Sequence, residues 1–362
     1  MRAAGSRSGG VVAGLVAAAA FATSGPVAKP LLEAGWTPGG AILFRLSFGA
    51  LLLLGPALWS LRGRYRLLVT ERRTIVLFGL VGVAASTGLY YLAVDRLPIA
   101  VALLVEYTAP LMLLGWGWAR TRRTPSRLTL AGAALAMGGL VLVLDLTGSV
   151  HLDPVGLLFA FAAAVGNAAY FAMTAKPSPL PPVAVAGTGL VVGAVVIGLL
   201  VTVGVLPLRM PAVQVHVNGA STSWLVLALV LGALPTAFAY GVSTVSVRIL
   251  GERTASFLAL AEVLFAVLLA WALLSQTPAP VQLAGAALVV GGVALVRRGA
   301  TSDASGALLG EGGEPVLGEP GQAVLGEAEL VPVPDEADGV PVLDAPGREP
   351  VRDEAELEPV GV

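Results

Sequence analysis

The chain has 362 residues, of which 56% are hydrophobic and 12% charged, with a mean hydropathy of +0.84. A soluble globular domain carries about 25% charged residues. There is no cysteine and there are two histidines, which excludes disulfides and cysteine-ligated metals and leaves almost no material for a zinc site; no cofactor is expected. The net charge of −1 averages two unlike pieces: residues 1–298 carry 20 basic and 8 acidic residues, whereas residues 299–362 carry 2 and 15.

After a short cytoplasmic N-terminus (1–10), ten apolar runs follow, near 11–32, 39–59, 74–94, 98–119, 128–146, 154–174, 183–206, 223–247, 254–275 and 281–297. Each is close to the roughly 20 residues that a helix needs to cross a bilayer. Continuous rather than alternating apolar runs select helices over a barrel. Arg2 and Arg7 before an Ala/Val-rich run also fit a cleaved signal peptide, but the apolar stretch continues past Ala28. Basic residues collect in every second gap. Arg62, Arg64, Arg66, Arg72 and Arg73 share one gap and Arg120, Arg122, Arg123 and Arg127 another, while the opposite gaps hold Arg96 and Arg209. This asymmetry places both termini in the cytoplasm of an inner (plasma) membrane protein. Trp116 and Trp118, next to that second arginine cluster, read as an interfacial belt. His151 and His216 fall in gaps. The tail, 299–362, has no aromatic residue and no lysine, is rich in Gly, Pro and Glu, and repeats LLGE (308–311) as VLGE (316–319 and 324–327). It reads as acidic, disordered and cytoplasmic, with a regulatory or partner-binding tail as the alternative.

Residues 130–143, LAGAALAMGGLVLV, return as LAGAALVVGGVALV at 283–296, ten of fourteen positions identical at an offset of 153. The same offset pairs Trp118 with Trp271, Thr124 with Thr277 and Pro125 with Pro278. The ten spans therefore divide into repeats of five, 11–146 and 154–298. Because five is odd, the second repeat enters the membrane inverted. The expected fold is all-α and polytopic: ten helices in two inverted repeats, N-in and C-in. Such repeats typify secondary transporters whose site lies between the halves.

The chain resembles a known family. The segments LAGAALAMGGLVLV and LAEVLFAVLLAWALLSQTPAPVQLAGAALVVGGVALV are similar to the closing helices of the two EamA repeats of the drug/metabolite transporter superfamily. LYYLAVDRLPIAVALLVEYTAPL (89–111) resembles the threonine/homoserine exporter-like branch, and FATSGPVAKPLLEAGWTPGGAILFRLSFGALLLL (21–54) resembles the opening two helices. The likeness covers about residues 10–298 and implies alternating access and export of small metabolites by proton exchange. Val263 stands where relatives often have proline, Gln276 where an acidic residue is common, and Ala22 and Thr23 where a tryptophan often precedes the Gly-Ser pair.

Polar residues inside apolar runs mark candidate sites. Glu106 and Glu262 lie one helical turn apart on corresponding spans, since the offset pairs them with Ala259 and Ala109; both can face one cavity and carry protons. The alternative is a structural carboxylate bonded between helices. Lys29 and Arg45 are the available cations, the first able to snorkel, the second suited to an ion pair with a helix carboxylate or to a lipid headgroup. Tyr91, Tyr107, Asn167, Tyr170 and Tyr240 would line a mostly apolar cavity, and Pro26, Pro110 and Pro235 are candidate hinges.

These features point to a secondary exporter of an amino-acid-like or amphipathic metabolite, with import as the rival direction. A membrane sensor or scaffold acting through the acidic tail is the reading from another class. No GxxxxGK[ST] loop and no buried histidine or aspartate pair suggests an ATPase or an intramembrane protease, so no enzyme is expected. The expected partners are a small solute, protons and the lipid bilayer, with no nucleic acid; a monomer suffices and a dimer is possible.

Overall fold

A backbone without water around it must close its hydrogen bonds internally, and the computed structural model is built accordingly from helices. It describes residues 2–122, 124–144, 153–217, 220–274 and 277–308; Asp145, His151, Gln276 and the tail beyond 308 lie outside them. In chain order the helices are α1 (Arg2–Ala22), α2 (Ser24–Glu33), α3 (Pro38–Leu61), α4 (Arg66–Thr70), α5 (Arg72–Leu77), α6 (Ser86–Val94), α7 (Ile99–Glu106), α8 (Ala109–Thr121), α9 (Arg127–Val143), α10 (Pro154–Ala175), α11 (Pro182–Thr202), α12 (Trp224–Gly232), α13 (Ala239–Leu250), α14 (Glu252–Ala259), α15 (Ala261–Leu274) and α16 (Pro280–Leu308). Phe78–Ala85 joins α5 to α6 as a π-helical stretch, and Ala233–Phe238 joins α12 to α13 in the same way.

Among the described residues, eight stretches are long and apolar enough to cross a membrane: Arg7–Glu33, Pro38–Leu61, Arg72–Val94, Ile99–Thr121, Pro154–Ala175, Pro182–Thr202, Trp224–Leu250 and Pro280–Ala300. α9 is apolar but only 17 residues long, and the run at 254–275 is split between α14 and α15 at Leu260. Three details differ from the sequence reading. The fold is not purely helical, because β1 (Gln214–Val217) and β2 (Ala220–Ser223) form an antiparallel hairpin before α12, and His216 lies on β1. α1 begins at Arg2, ahead of the apolar run, since Ala and Ser tolerate the helix. α16 continues to Leu308, past the expected tail boundary at Gly299. Gly299 lies against α9, where an added Cβ would come within 2.8 Å of the Ser126 hydroxyl.

Local chemistry starts several of these helices. Thr37, Ser126, Asp153 and Ser223 accept hydrogen bonds from backbone amides in the first turn of α3, α9, α10 and α12, and Pro38 and Pro154 occupy the first helical position. The bundle has two distinct ends. At one, Trp36 Nε1 donates to Pro211 O (3.1 Å), Arg96 pairs with Asp153 (3.8 Å) and Gln282 Nε2 donates to Val143 O (3.1 Å). At the other, Arg248 Nε and Nη1 donate to Thr174 O (3.0 Å) and Ser178 O (3.2 Å), and Ser246 donates to Gly10 O (2.8 Å). The second end carries the arginine-rich gaps.

α9 and α16 hold the repeated sequence, and they pack against each other antiparallel. A Cβ on Gly132 would sit 2.7 Å from Gly292 O, and one on Gly139 would sit 2.6 Å from Gly285 O. The reverse contacts match, with Gly285 to Gly139 O and Gly292 to Gly132 O both 2.6 Å. Since 285 is 132 plus 153 and 292 is 139 plus 153, each contact is the image of another. The pair is thus isologous about a pseudo-two-fold axis perpendicular to the helices. With lipid as apolar as the side chains, such close backbone approach through glycine is what binds membrane helices.

The irregularities recur at the same offset. The stretch 78–85 maps onto 231–238, which contains the second π-helical stretch, and the α7–α8 break at Tyr107 maps onto the α14–α15 break at Leu260. Two of the four have a visible cause. Pro110 and Pro235 lack an N–H, and the Thr236 hydroxyl takes over Leu231 O at 2.9 Å.

Candidate functional site

Between the repeats lies a cavity of about 1030 Å³. It reaches Lys29, Ile99 and Thr277 at the arginine-poor end and extends only to Gly14, Ser246 and Ala255 toward the arginine-rich end. There α1 closes on α13 and α14. A Cβ on Gly14 would lie 2.8 Å from the Ser246 hydroxyl, and Gly10 abuts Ile249 and Leu250. The cavity is therefore open at one end and blind at the other.

Glu106 and Glu262 both face this space. Glu106 is the last residue of α7, just before the break at Tyr107, and Glu262 is the second residue of α15, just after the break at Leu260. The inverted scaffold brings these unlike positions together: the two carboxylates lie within electrostatic reach of each other. The Tyr107 hydroxyl is the hydrogen-bond partner of Glu262, and Tyr90 stands near both carboxylates.

Arg45, 9% exposed, projects from α3. Its Nε donates to Thr236 Oγ1 (3.1 Å) and its Nη1 to Ser24 Oγ (3.0 Å). Among the described residues no carboxylate pairs with it directly, and two neutral hydroxyls hold it against the cavity wall. Lys29 occupies the mouth, half-exposed and 3.8 Å from Glu33.

Tyr170 and Tyr240 build an aromatic wall, their ring centroids 5.8 Å apart and edge to face. Tyr170 donates to Ser243 Oγ at 2.9 Å, and Tyr240 lies within reach of Arg45, Glu106 and Glu262 at once. Tyr91, Tyr107 and Asn167 also line the cavity, and the Asn167 amide has no protein hydrogen-bond partner among the described residues. Of the candidate hinges, Pro26 and Pro110 lie on the wall. Pro235 does not, but it sits beside Thr236, which holds Arg45. Ser24, Thr87, Ser243, Ser246 and Gln282 belong to the wall and were not marked by sequence, because an isolated hydroxyl or amide in an apolar run is common.

Comparison with known proteins now decides the family. The EamA-like transporter family matches residues 8–145 and, a second time, residues 154–298. The chain belongs to the EamA-like transporter family. It is thus a multi-pass membrane protein of a transporter family rather than an enzyme. The threonine/homoserine exporter RhtA of Escherichia coli strain K12 is 27% identical over 293 residues, covering 79% of this chain and 89% of the relative. The same figures hold for RhtA of E. coli O6:H1 and of O157:H7. A crystal structure superposes with a TM-score of 0.64 at 21% identity, covering 79% of this chain and 96% of that one, which shows the shared fold.

Proposed function

We propose that this EamA-like protein is a secondary exporter that carries a small, amino-acid-like solute out of the cell in exchange for protons. Ten membrane spans, in two inverted repeats of five (11–146 and 154–298), would place both termini in the cytoplasm of the inner membrane. The eight long apolar helices, the shorter α9, the α14–α15 pair and the arginine asymmetry support that topology. The named activity of the RhtA relatives supports the solute class and the outward direction.

The observation that carries the mechanism is the one-ended cavity with Glu106 and Glu262 at helix breaks. A carboxylate pair that feels both a proton and a solute ammonium can hold one or the other. In the outward-open state, protonation releases the solute. Closure at the arginine-poor end and opening at the other then delivers the proton inside. Pro26 and Pro110 supply bending points in the wall. A charge crossing about 100 mV contributes roughly 2.3 kcal/mol, sufficient for a gradient without nucleotide. One chain encloses the cavity, so a monomer suffices.

Reconstituted protein under an imposed pH gradient tests this. Lumenal pH is followed while threonine, homoserine and other small amino acids are added. A solute-evoked proton flux, abolished in Glu106→Gln or Glu262→Gln, is the expected result. Solute movement that persists in both variants without proton flux would make the protein a facilitator.

A further inference from the structure

We propose that Arg45 is the fixed receptor for a carboxylate of the transported solute, so that the cavity selects zwitterions by anchoring the acid end on Arg45 and the ammonium end on Glu106 and Glu262. This deepens the exporter reading and rests on it for the word transported; the binding claim stands on the cavity alone.

The Arg45 guanidinium offers five N–H groups in a planar fork. Nε–H and one Nη1–H are used by Thr236 and Ser24, both neutral acceptors. The second Nη1–H and both Nη2–H groups have no acceptor among the described residues. A guanidinium keeps its charge, and a buried charge without a counter-charge is costly. Yet this one is 9% exposed and its side chain lines the cavity. The two hydroxyls fix its orientation: Ser24 comes from α2 and Thr236 from the π-helical stretch before α13, so three elements aim one fork. A planar, oriented, half-satisfied fork fits a carboxylate in bidentate fashion, the strongest neutralising contact available to it.

The opposite charges are placed to complete a zwitterion site. Tyr240 lies within reach of Arg45 on one side and of both carboxylates on the other. Glu262 is close enough to feel Arg45 but does not pair with it directly. The space between them is therefore cavity rather than salt bridge. The two ends also differ in kind. The acid end is held by a fixed guanidinium fork, while the glutamates exchange a proton for the ammonium. Release is then controlled at one end only.

The test separates binding from transport. Detergent-purified full-length protein is melted with N-acetyl-L-threonine, which has a carboxylate and no ammonium, and with L-threoninamide, which has the reverse. In parallel, threonine counterflow into proteoliposomes is measured. The N-acetyl compound is expected to stabilise the wild type and Glu262→Gln alike, and to lose its effect in Arg45→Gln. In Arg45→Lys, which keeps the charge but not the fork, the midpoint ligand concentration should rise about tenfold. If Arg45→Gln does not fold, Arg45→Lys decides alone. Undiminished carboxylate binding in either variant, or a wild type that binds neither compound or responds only to the amide, would overturn the proposal and leave Arg45 as a partner for Glu262. Carboxylate binding without threonine counterflow would sink the exporter reading and leave the Arg45 receptor standing. Counterflow without carboxylate dependence would do the opposite.

Discussion

The glycine contact between α9 and α16 makes a quantitative prediction about what holds the halves together. Gly139→Ala puts a Cβ 2.6 Å from Gly285 O and 2.7 Å from Val289 N, where ordinary contact begins at 3.4 Å. The neighbour is backbone, so no side chain can swing aside and the helices must part by roughly 0.8 Å at that level. Overpacking of this kind costs about 1–3 kcal/mol. Gly138, one residue away, has nothing within 4 Å, so Gly138→Ala adds only the helix propensity that alanine has over glycine, about 1 kcal/mol in favour. Both substitutions gain that propensity, and their difference isolates the contact. Thermal unfolding in detergent reads it: Gly139→Ala should melt several degrees lower, and Gly138→Ala at or above wild type. The images, Gly292→Ala and Gly291→Ala, should behave as the same two classes, with the Leu135 contact at 3.5 Å making Gly291 slightly less free. Because one separation relieves both clashes, the double variant Gly139→Ala/Gly285→Ala should cost less than the sum. Equal melting of Gly138→Ala and Gly139→Ala, or strict additivity in the double variant, would refute the close antiparallel approach.

The other local contacts make smaller claims. Tyr170→Phe removes a buried hydrogen bond to Ser243 and should destabilise the protein by about 1 kcal/mol, with Ser243→Ala similar and the pair coupled; a double-mutant cycle of melting points checks it, and zero coupling rejects the bond. Arg248→Gln removes two bonds that tie α13 to the end of α10 at the blind end. Because the chain has no cysteine, a single cysteine in place of Ser256, 1% exposed and on the cavity wall, reports access cleanly. Its maleimide labelling from the arginine-rich side should rise about three- to tenfold in the Arg248→Gln background. Unchanged labelling would show that Arg248 does not hold that end closed.

Much of the architecture was legible because it depends on long-range composition. The apolar runs, the arginine alternation and the 153-residue offset are properties of whole segments, and the antiparallel α9–α16 pair joins the two segments that the offset relates. Glu106 and Glu262 stood out because a carboxylate in an apolar run has few harmless explanations. The π-helical stretch at 78–85 had no such mark: FGLVGVAA contains no proline, and it lies where Tyr170 of α10 closes on Gly82, with Tyr170 Cα 3.2 Å from a Cβ placed there. The partners of Arg45 were illegible because they are set by tertiary packing: Ser24 and Thr236 are 21 and 191 residues away and neither is distinctive alone. The hairpin at 214–223 did carry a mark, Asn-Gly between the alternating QVHV and ASTS, which a reading of apolar runs passes over; the reach of α16 to Leu308 was hidden by a composition that resembles the tail.

The two halves share their irregularities but not their charges, a division that suits the proposed exporter. The π-helical stretches and the two breaks recur at matched positions, as the proposed alternating access would require of two halves that exchange roles. The functional groups do not recur. Ala259 stands opposite Glu106 in the repeat, and Ala109 opposite Glu262. A carboxylate before one break and after the other falls on the same side of the cavity only because the second repeat is inverted. Had both glutamates kept the same register, the pseudo-two-fold axis would have made them symmetry mates. As it is, they stand in unlike environments, Glu262 against the Tyr107 hydroxyl and within reach of Arg45, while the largest charged influence on Glu106 is Glu262 itself. Under the proposed exchange, two carboxylates in unlike settings would divide the work, one holding the solute ammonium beside Arg45 and the other taking up the proton that displaces it.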